Sequence, residues 1–173
     1  MGSAGDPYVR LARLAVETYV RSGEVVSPPP NLPEDLTQGR AGAFVSLKRD
    51  GELRGCIGTI APTAPTLAQE IIQNAIRAAS EDPRFPPVSV GELAQLSVTV
   101  DVLSPAQPCS PADLDPRKYG VIVESGWHRG LLLPDLPGVD SAEEQLRIAK
   151  LKAGLPADHP CRLLRFTVER HQE

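Results

Sequence analysis

Leu53-Arg54-Gly55-Cys56-Ile57-Gly58, read LRGCIG, follows an Arg49-Asp50-Gly51 turn and lies in a run with strand character. Side chains on a strand alternate between two faces. Arg54 and Cys56 therefore share a face, with Gly58 next in line, while Leu53 and Ile57 point toward a core. Two residues along a strand span roughly 6.6 Å, a range at which a guanidinium favours a thiolate. Gly55 and Gly58 weaken a strand and mark a bulge, or a place where a ligand or another backbone comes close. The competing reading is an inert thiol at Cys56, because free cysteine is among the most buried residue types.

Working outward, residues 43–48 form a β-friendly run with Phe44, Val45 and Leu47. They pair with residues 52–60 as a hairpin across the Arg49-Asp50-Gly51 turn, which brings Lys48 near the hexamer. Downstream, Thr66-Leu67-Ala68-Gln69 is a capping box. Ala68, Ile71, Ile72, Ala75, Ile76 and Ala79 supply the buried stripe of the helix it opens, which ends near Ser80. Glu81-Asp82-Pro83-Arg84-Phe85-Pro86-Pro87 follows as a loop stiffened by proline. Asp82, Arg84 and Phe85 on that loop read either as the wall of a site or as a surface ion pair that fixes the turn.

Toward the N-terminus, Asp6-Pro7 opens a helix whose stripe runs from Tyr8 to Tyr19 and which stops at Gly23. Toward the C-terminus, Ser89 and Glu92 cap a short turn. Residues 96–103 alternate as a half-buried strand, with Leu96, Val98, Val100 and Val102 inward. A proline-rich loop holds Cys109. A second hairpin covers residues 119–124 and 130–133, with Trp127 at its turn capping the core edge. A helix runs from Ser141 to Gly154 with Leu146, Ile148, Ala149 and Leu151 as core contacts, and residues 163–168 form a last strand. Helices and strands do not alternate as βαβ units, so the expected class is α+β, mostly antiparallel sheet packed with helices.

Composition narrows the function classes. The 173 residues suit a single domain, and a net charge of −4 argues against a broad nucleic-acid surface. No apolar run reaches the length of a membrane span. Aromatic residues make up only 4% of the chain, so the core must be aliphatic. Cys56, Cys109 and Cys161 are too few and too far apart for a disulfide framework, and no C-x-x-C pair offers a zinc site. This usage suits a reducing cytoplasm. His159-Pro160-Cys161 is the one weak hint of metal ligation, so no metal site is assigned and no cofactor is named.

The hexamer with its preceding strand, the Glu81-to-Pro87 loop, the 98–103 strand and Lys152-Ala153-Gly154-Leu155 together resemble the AMMECR family over nearly the whole chain. Bacterial members belong to the AmmeMemoRadiSam group. The resemblance implies an α+β fold with a larger and a smaller lobe and a cleft beside LRGCIG. It implies as partners a Memo-like protein of the extradiol-dioxygenase type and a radical SAM protein. The opening Asp6-Pro7-Tyr8-Val9-Arg10 is similar to a junction with such a Memo-like domain, and residues 1–5 read as a lead-in to it. Arg54, Gly55, Cys56 and Gly58 match the family's first motif, and Asp82, Arg84 and Phe85 match its second. A late tryptophan and a cysteine near the Lys152-to-Leu155 motif, carried by many relatives, are replaced here around Val139-Asp140 and at Lys150.

Two function classes remain. In an enzyme, Cys56 is nucleophile or acid/base group, Arg54 lowers its pKa or holds an anionic substrate, and Asp82 or Arg84 orients it. No motif places a histidine base near Cys56. In a non-catalytic binding module, the same hollow holds a small anion or a segment of the Memo-like partner. Arg54, Arg84, Lys48, Gly55, Gly58 and Phe85 form its lining, because guanidinium groups grip carboxylate or phosphate in bidentate fashion.

Overall fold

The computed structural model describes residues 5–173. The lead-in expected over residues 1–5 thus lies outside the described residues except at Gly5. Helix α1, Pro7–Ser22, is capped by Asp6, whose carboxylate accepts from the Tyr8 and Val9 amides, and it ends at Gly23 with φ 73°. The short helix α2, Glu34–Gln38, buries Leu36. Strands β1, Ala43–Arg49, and β2, Glu52–Gly58, form the expected hairpin. Helix α3, Leu67–Ser80, is capped by Thr66, and a 3₁₀ turn, Val90–Gln95, leads into β3, Leu96–Leu103.

Strand β4, Gln107–Pro108, falls in the proline-rich loop. Strands β5, Gly120–Ser125, and β6, His128–Leu132, make the second hairpin. Helix α4, Ala142–Lys152, is capped by Ser141, and β7, Arg162–Phe166, follows. The chain then forms β8, Val168–Gln172, which like β4 is a strand beyond the six expected from the sequence. The class is α+β with two four-stranded sheets, ordered β2-β1-β3-β8 and β4-β7-β5-β6. Every strand pair with a defined register is antiparallel.

The chain divides into two compact units. The first comprises the described residues through Leu103 together with Glu169–Glu173; the second is Ser104–Val168. In the first unit, α1 and α3 bury Leu11, Ala15, Ile71 and Ala75 with Val45, Leu47, Val98 and Val100 of the sheet. The second has its own core of Val121, Val123, Leu132, Ala149 and Leu163.

Several expectations change at the level of single residues. Trp127 does not cap a core edge: it is 88% exposed at the tip of the β5–β6 turn, stacked on His128 at 3.9 Å between centroids. Leu146, Ile148 and Ala149 of α4 do meet the core, but Leu151 is 69% exposed, and Gln145 goes inside, its Nε2 donating to the Tyr119 carbonyl at 2.7 Å. Asp101, which alternates with the inward Val100 and Val102, is nonetheless buried, and Arg170 of β8 pairs with it at 2.8 Å. No helix among the described residues is long and apolar enough to cross a membrane.

Candidate functional site

The hexamer is not a regular strand. Leu47 pairs with Gly55 but Lys48 pairs with Leu53, so Arg54 is the extra residue of a β-bulge. One inserted residue reverses the alternation beyond it. Leu53 consequently leaves the core side and is 39% exposed, against the inward position that strict alternation assigns it. Ile57, on the regular side of the bulge, does pack on the core. Lys48 stands opposite Leu53 and is exposed.

The bulge also separates Arg54 from Cys56. The Arg54 guanidinium donates to Glu92 at 2.8 Å through Nε and 3.2 Å through Nη2, and to the Pro87 carbonyl at 3.3 Å. That bidentate pair is largely buried on both sides. Glu92 also accepts from the Ser89 amide at 2.8 Å and from Arg49 at 3.1 Å. The Arg54 hydrogen bonds, helped by the Ser89 amide, hold the Glu92 carboxyl down to about 2. The cation whose charge reaches the Cys56 thiol is Arg84.

Asp82 joins the two motifs. Its buried carboxylate accepts the Cys56 amide at 3.0 Å and the Arg84 amide at 3.0 Å. It also takes a two-pronged grip from Arg84, Nε at 3.0 Å and Nη2 at 2.7 Å. These bonds, the Arg84 side chain first among them, hold Asp82 far below the usual carboxylate range. The Pro83 and Pro86 constraints present the Asp82, Arg84 and Phe85 side chains from one short turn, closed by the Phe85 amide on the Asp82 carbonyl at 3.1 Å. Arg84 and Arg54 lie 5.5 and 6.0 Å from the Phe85 ring centroid. Arg84 nevertheless keeps 56% of its side chain exposed.

Cys56 is half-buried, with its sulfur 3.2 Å from Ser46 Oγ. Burial pushes the thiol up, outweighing the Ser46 hydrogen bond and the Arg84 charge that pull it down. The thiol is thus predominantly protonated at neutral pH, and its immediate partner is a hydroxyl, not a base. The glycines are explained by neighbours already present. A Cβ at Gly55 would lie 2.1 Å from the Ala78 carbonyl oxygen, so Gly55 admits the α3 backbone. At Gly58 it would lie 2.2 Å from the Phe44 ring, so Phe44 fills the space read as room for a guest.

Beside the hexamer is a carboxylate that the sequence reading passed over. Glu70 is fully buried and accepts from Thr59, Thr63 and the Ala64 amide at 2.6–2.9 Å. Burial opposes its charge, but these bonds prevail and keep Glu70 below its ordinary pKa. One turn later, Asn74 donates to the Ala43 carbonyl at 2.9 Å and to Thr59 at 3.2 Å. Glu70 and Asn74 sit inside an otherwise apolar stripe, and a polar pair four residues apart there was the available signal. They fix the loop that leaves Gly58.

The AMMECR1 family model matches residues 9–171. This chain belongs to the AMMECR1 family. A Thermotoga maritima protein is 60% identical over 169 residues, covering 96% of this chain and 97% of its own. A Clostridium acetobutylicum protein, CA_C1420, is 46% identical over 97% of this chain, but the match occupies only 36% of that longer protein. The crystal structure of the uncharacterized protein PH0010 from Pyrococcus horikoshii superposes with a TM-score of 0.89 at 38% identity, covering 96% of this chain and 89% of that one. Within this fold Asp82 of the Glu81-to-Pro87 loop is brought onto the Cys56 amide.

Proposed function

We propose that the surface built from LRGCIG and the Glu81-to-Pro87 loop recognises an anionic group, and that the chain acts as the recognition partner in chemistry carried out with a Memo-like protein and a radical SAM protein. The observation that carries this reading is the setting of Arg84. Arg49 and Arg54 share the Glu92 carboxylate, while Arg84 is held by Asp82. Arg84 is oriented by Asp82 yet more than half exposed, beside an aromatic face. Its Nε and Nη2 are engaged by Asp82 and the Cys56 carbonyl, and the Nη1 donors, which bond to neither, suit a carboxylate or phosphate. The match to one-third of CA_C1420 supports a unit that works beside other protein domains.

The enzymatic alternative makes Cys56 the nucleophile. A thiol raised by burial and bonded to Ser46 counts against it. The two readings separate in one pair of measurements. The alkylation rate of Cys56 against pH is expected to rise with a midpoint above the free-cysteine value of about 8.5. Arg84→Ala is expected to abolish binding of citrate or inorganic phosphate by calorimetry, while Cys56→Ser retains it. A Cys56 midpoint below 7, or undiminished anion binding by Arg84→Ala, would overturn the proposal.

A further inference from the structure

The second unit contains a pocket of about 510 Å³ that none of the family motifs touches. That volume falls within the range of small-molecule sites. Its floor is apolar: Leu163 belongs to the unit's core, and Leu146 packs against it. Two half-buried free thiols, Cys109 and Cys161, line the same wall. They converge because the Cys109 amide continues the β4–β7 ladder onto the Leu163 carbonyl at 3.0 Å, setting Cys109 opposite a residue two places from Cys161. The His159 ring is pinned by a 3.0 Å hydrogen bond between its Nε2 and Ser125 Oγ. The rim carries Lys150 and Arg162 against the single carboxylate of Asp158. An ammonium has three N–H donors, and Lys150 spends one of them on the Ala157 carbonyl at 2.9 Å.

We infer that this pocket binds a small organic anion with an apolar body, of the class of medium-chain or aryl carboxylates. The hydrocarbon part lies over Leu146, Leu163 and the two sulfurs. The carboxylate meets Lys150 and Arg162 at the rim. The two sulfurs serve as soft, polarizable lining, and burial pushes the Cys109 thiol up. The site is separate from the anion-recognising surface of the first unit and stands or falls without it.

Octanoate is the probe, with octanamide as its neutral counterpart. Iodoacetamide labelling of the whole chain, followed by mass spectrometry of the Cys109 and Cys161 peptides, reads occupancy. Octanoate is expected to slow both alkylations at least fivefold in a saturable manner, with octanamide needing at least tenfold higher concentration. Lys150→Glu is expected to weaken octanoate at least tenfold, and Arg84→Ala in the first unit to leave it unchanged. Unaltered labelling of the two thiols in octanoate would overturn the site. Equal potency of octanamide, measured on the unsubstituted chain, would overturn the anionic class, as would full octanoate affinity in Lys150→Glu.

Discussion

At the scale of the residue, Asp82 is the hinge of the candidate site. It satisfies a strand amide, a loop amide and a guanidinium at once. Without the carboxylate, the Cys56 and Arg84 amides lose their acceptor, while the exposed Arg84 guanidinium is taken up by water. Asp82→Ala is therefore expected to cost about 1–3 kcal/mol in urea unfolding at pH 7. Glu92 gives the pH counterpart. Its folded pKa of about 2 lies below the ordinary 4.5, so its contribution is complete above pH 4.5 and disappears as pH falls toward 2. After allowance for solvent screening, the contribution is roughly 1–2 kcal/mol. Urea midpoints measured from pH 5 to 2 should fall more steeply for the native chain than for Glu92→Gln, the two converging near pH 2. Parallel curves would show that the Arg54–Glu92 pair adds nothing to stability.

At the scale of the element, the hexamer's role is legible in its composition but its geometry is not. Two glycines in a strand announce a close approach, and the structure contains two: α3 against Gly55 and the Phe44 ring against Gly58. What alternation misjudges is Arg54, because a bulge depends on what the partner strand does at Leu47 and Lys48, and periodicity within one strand carries no trace of it. The caps at Asp6, Thr66 and Ser141 were readable because each is a local bond between a side chain and amides two or three residues on. The burial of Asp101 and Glu70 was not, since each charge is stabilised by groups distant in sequence or on another element. The two glycines should respond differently to alanine. At Gly55 the obstacle is the α3 backbone, which cannot yield locally, and Gly55→Ala is expected to cost about 2–4 kcal/mol. At Gly58 it is a partly exposed ring that can rotate, and Gly58→Ala is expected to cost about 1 kcal/mol. Thermal unfolding of the two variants side by side checks the ordering.

At the scale of the whole molecule, the class was readable in the order of elements, and two lobes were implied by the family resemblance, but the boundary between the units was not readable. The order of elements excludes a doubly wound sheet, but no shift in composition marks Leu103, where the first unit gives way to the second, or Glu169, where the chain returns to it. The return is made by β8, a short polar strand whose Glu169, Arg170 and His171 carry no apolar period for sequence reading to detect. Its place in the sheet is secured instead by paired groups, Arg170 with Asp101 and His171 with Asp6 at 2.6 Å. Each unit keeps its own apolar cluster, and local unfolding tends to follow such clusters. Val123 is fully buried in the second cluster, and Val123→Ala should cost about 2 kcal/mol through lost burial and a residual cavity. Because the lost contacts belong to the second core, native-state hydrogen exchange should accelerate at the amides of β5, β6 and β7. The amides of β1, β2 and β3 should keep their protection. An equal fall in protection across both sheets would mean that the two cores open together, and the energetic boundary at Leu103 would have to be abandoned.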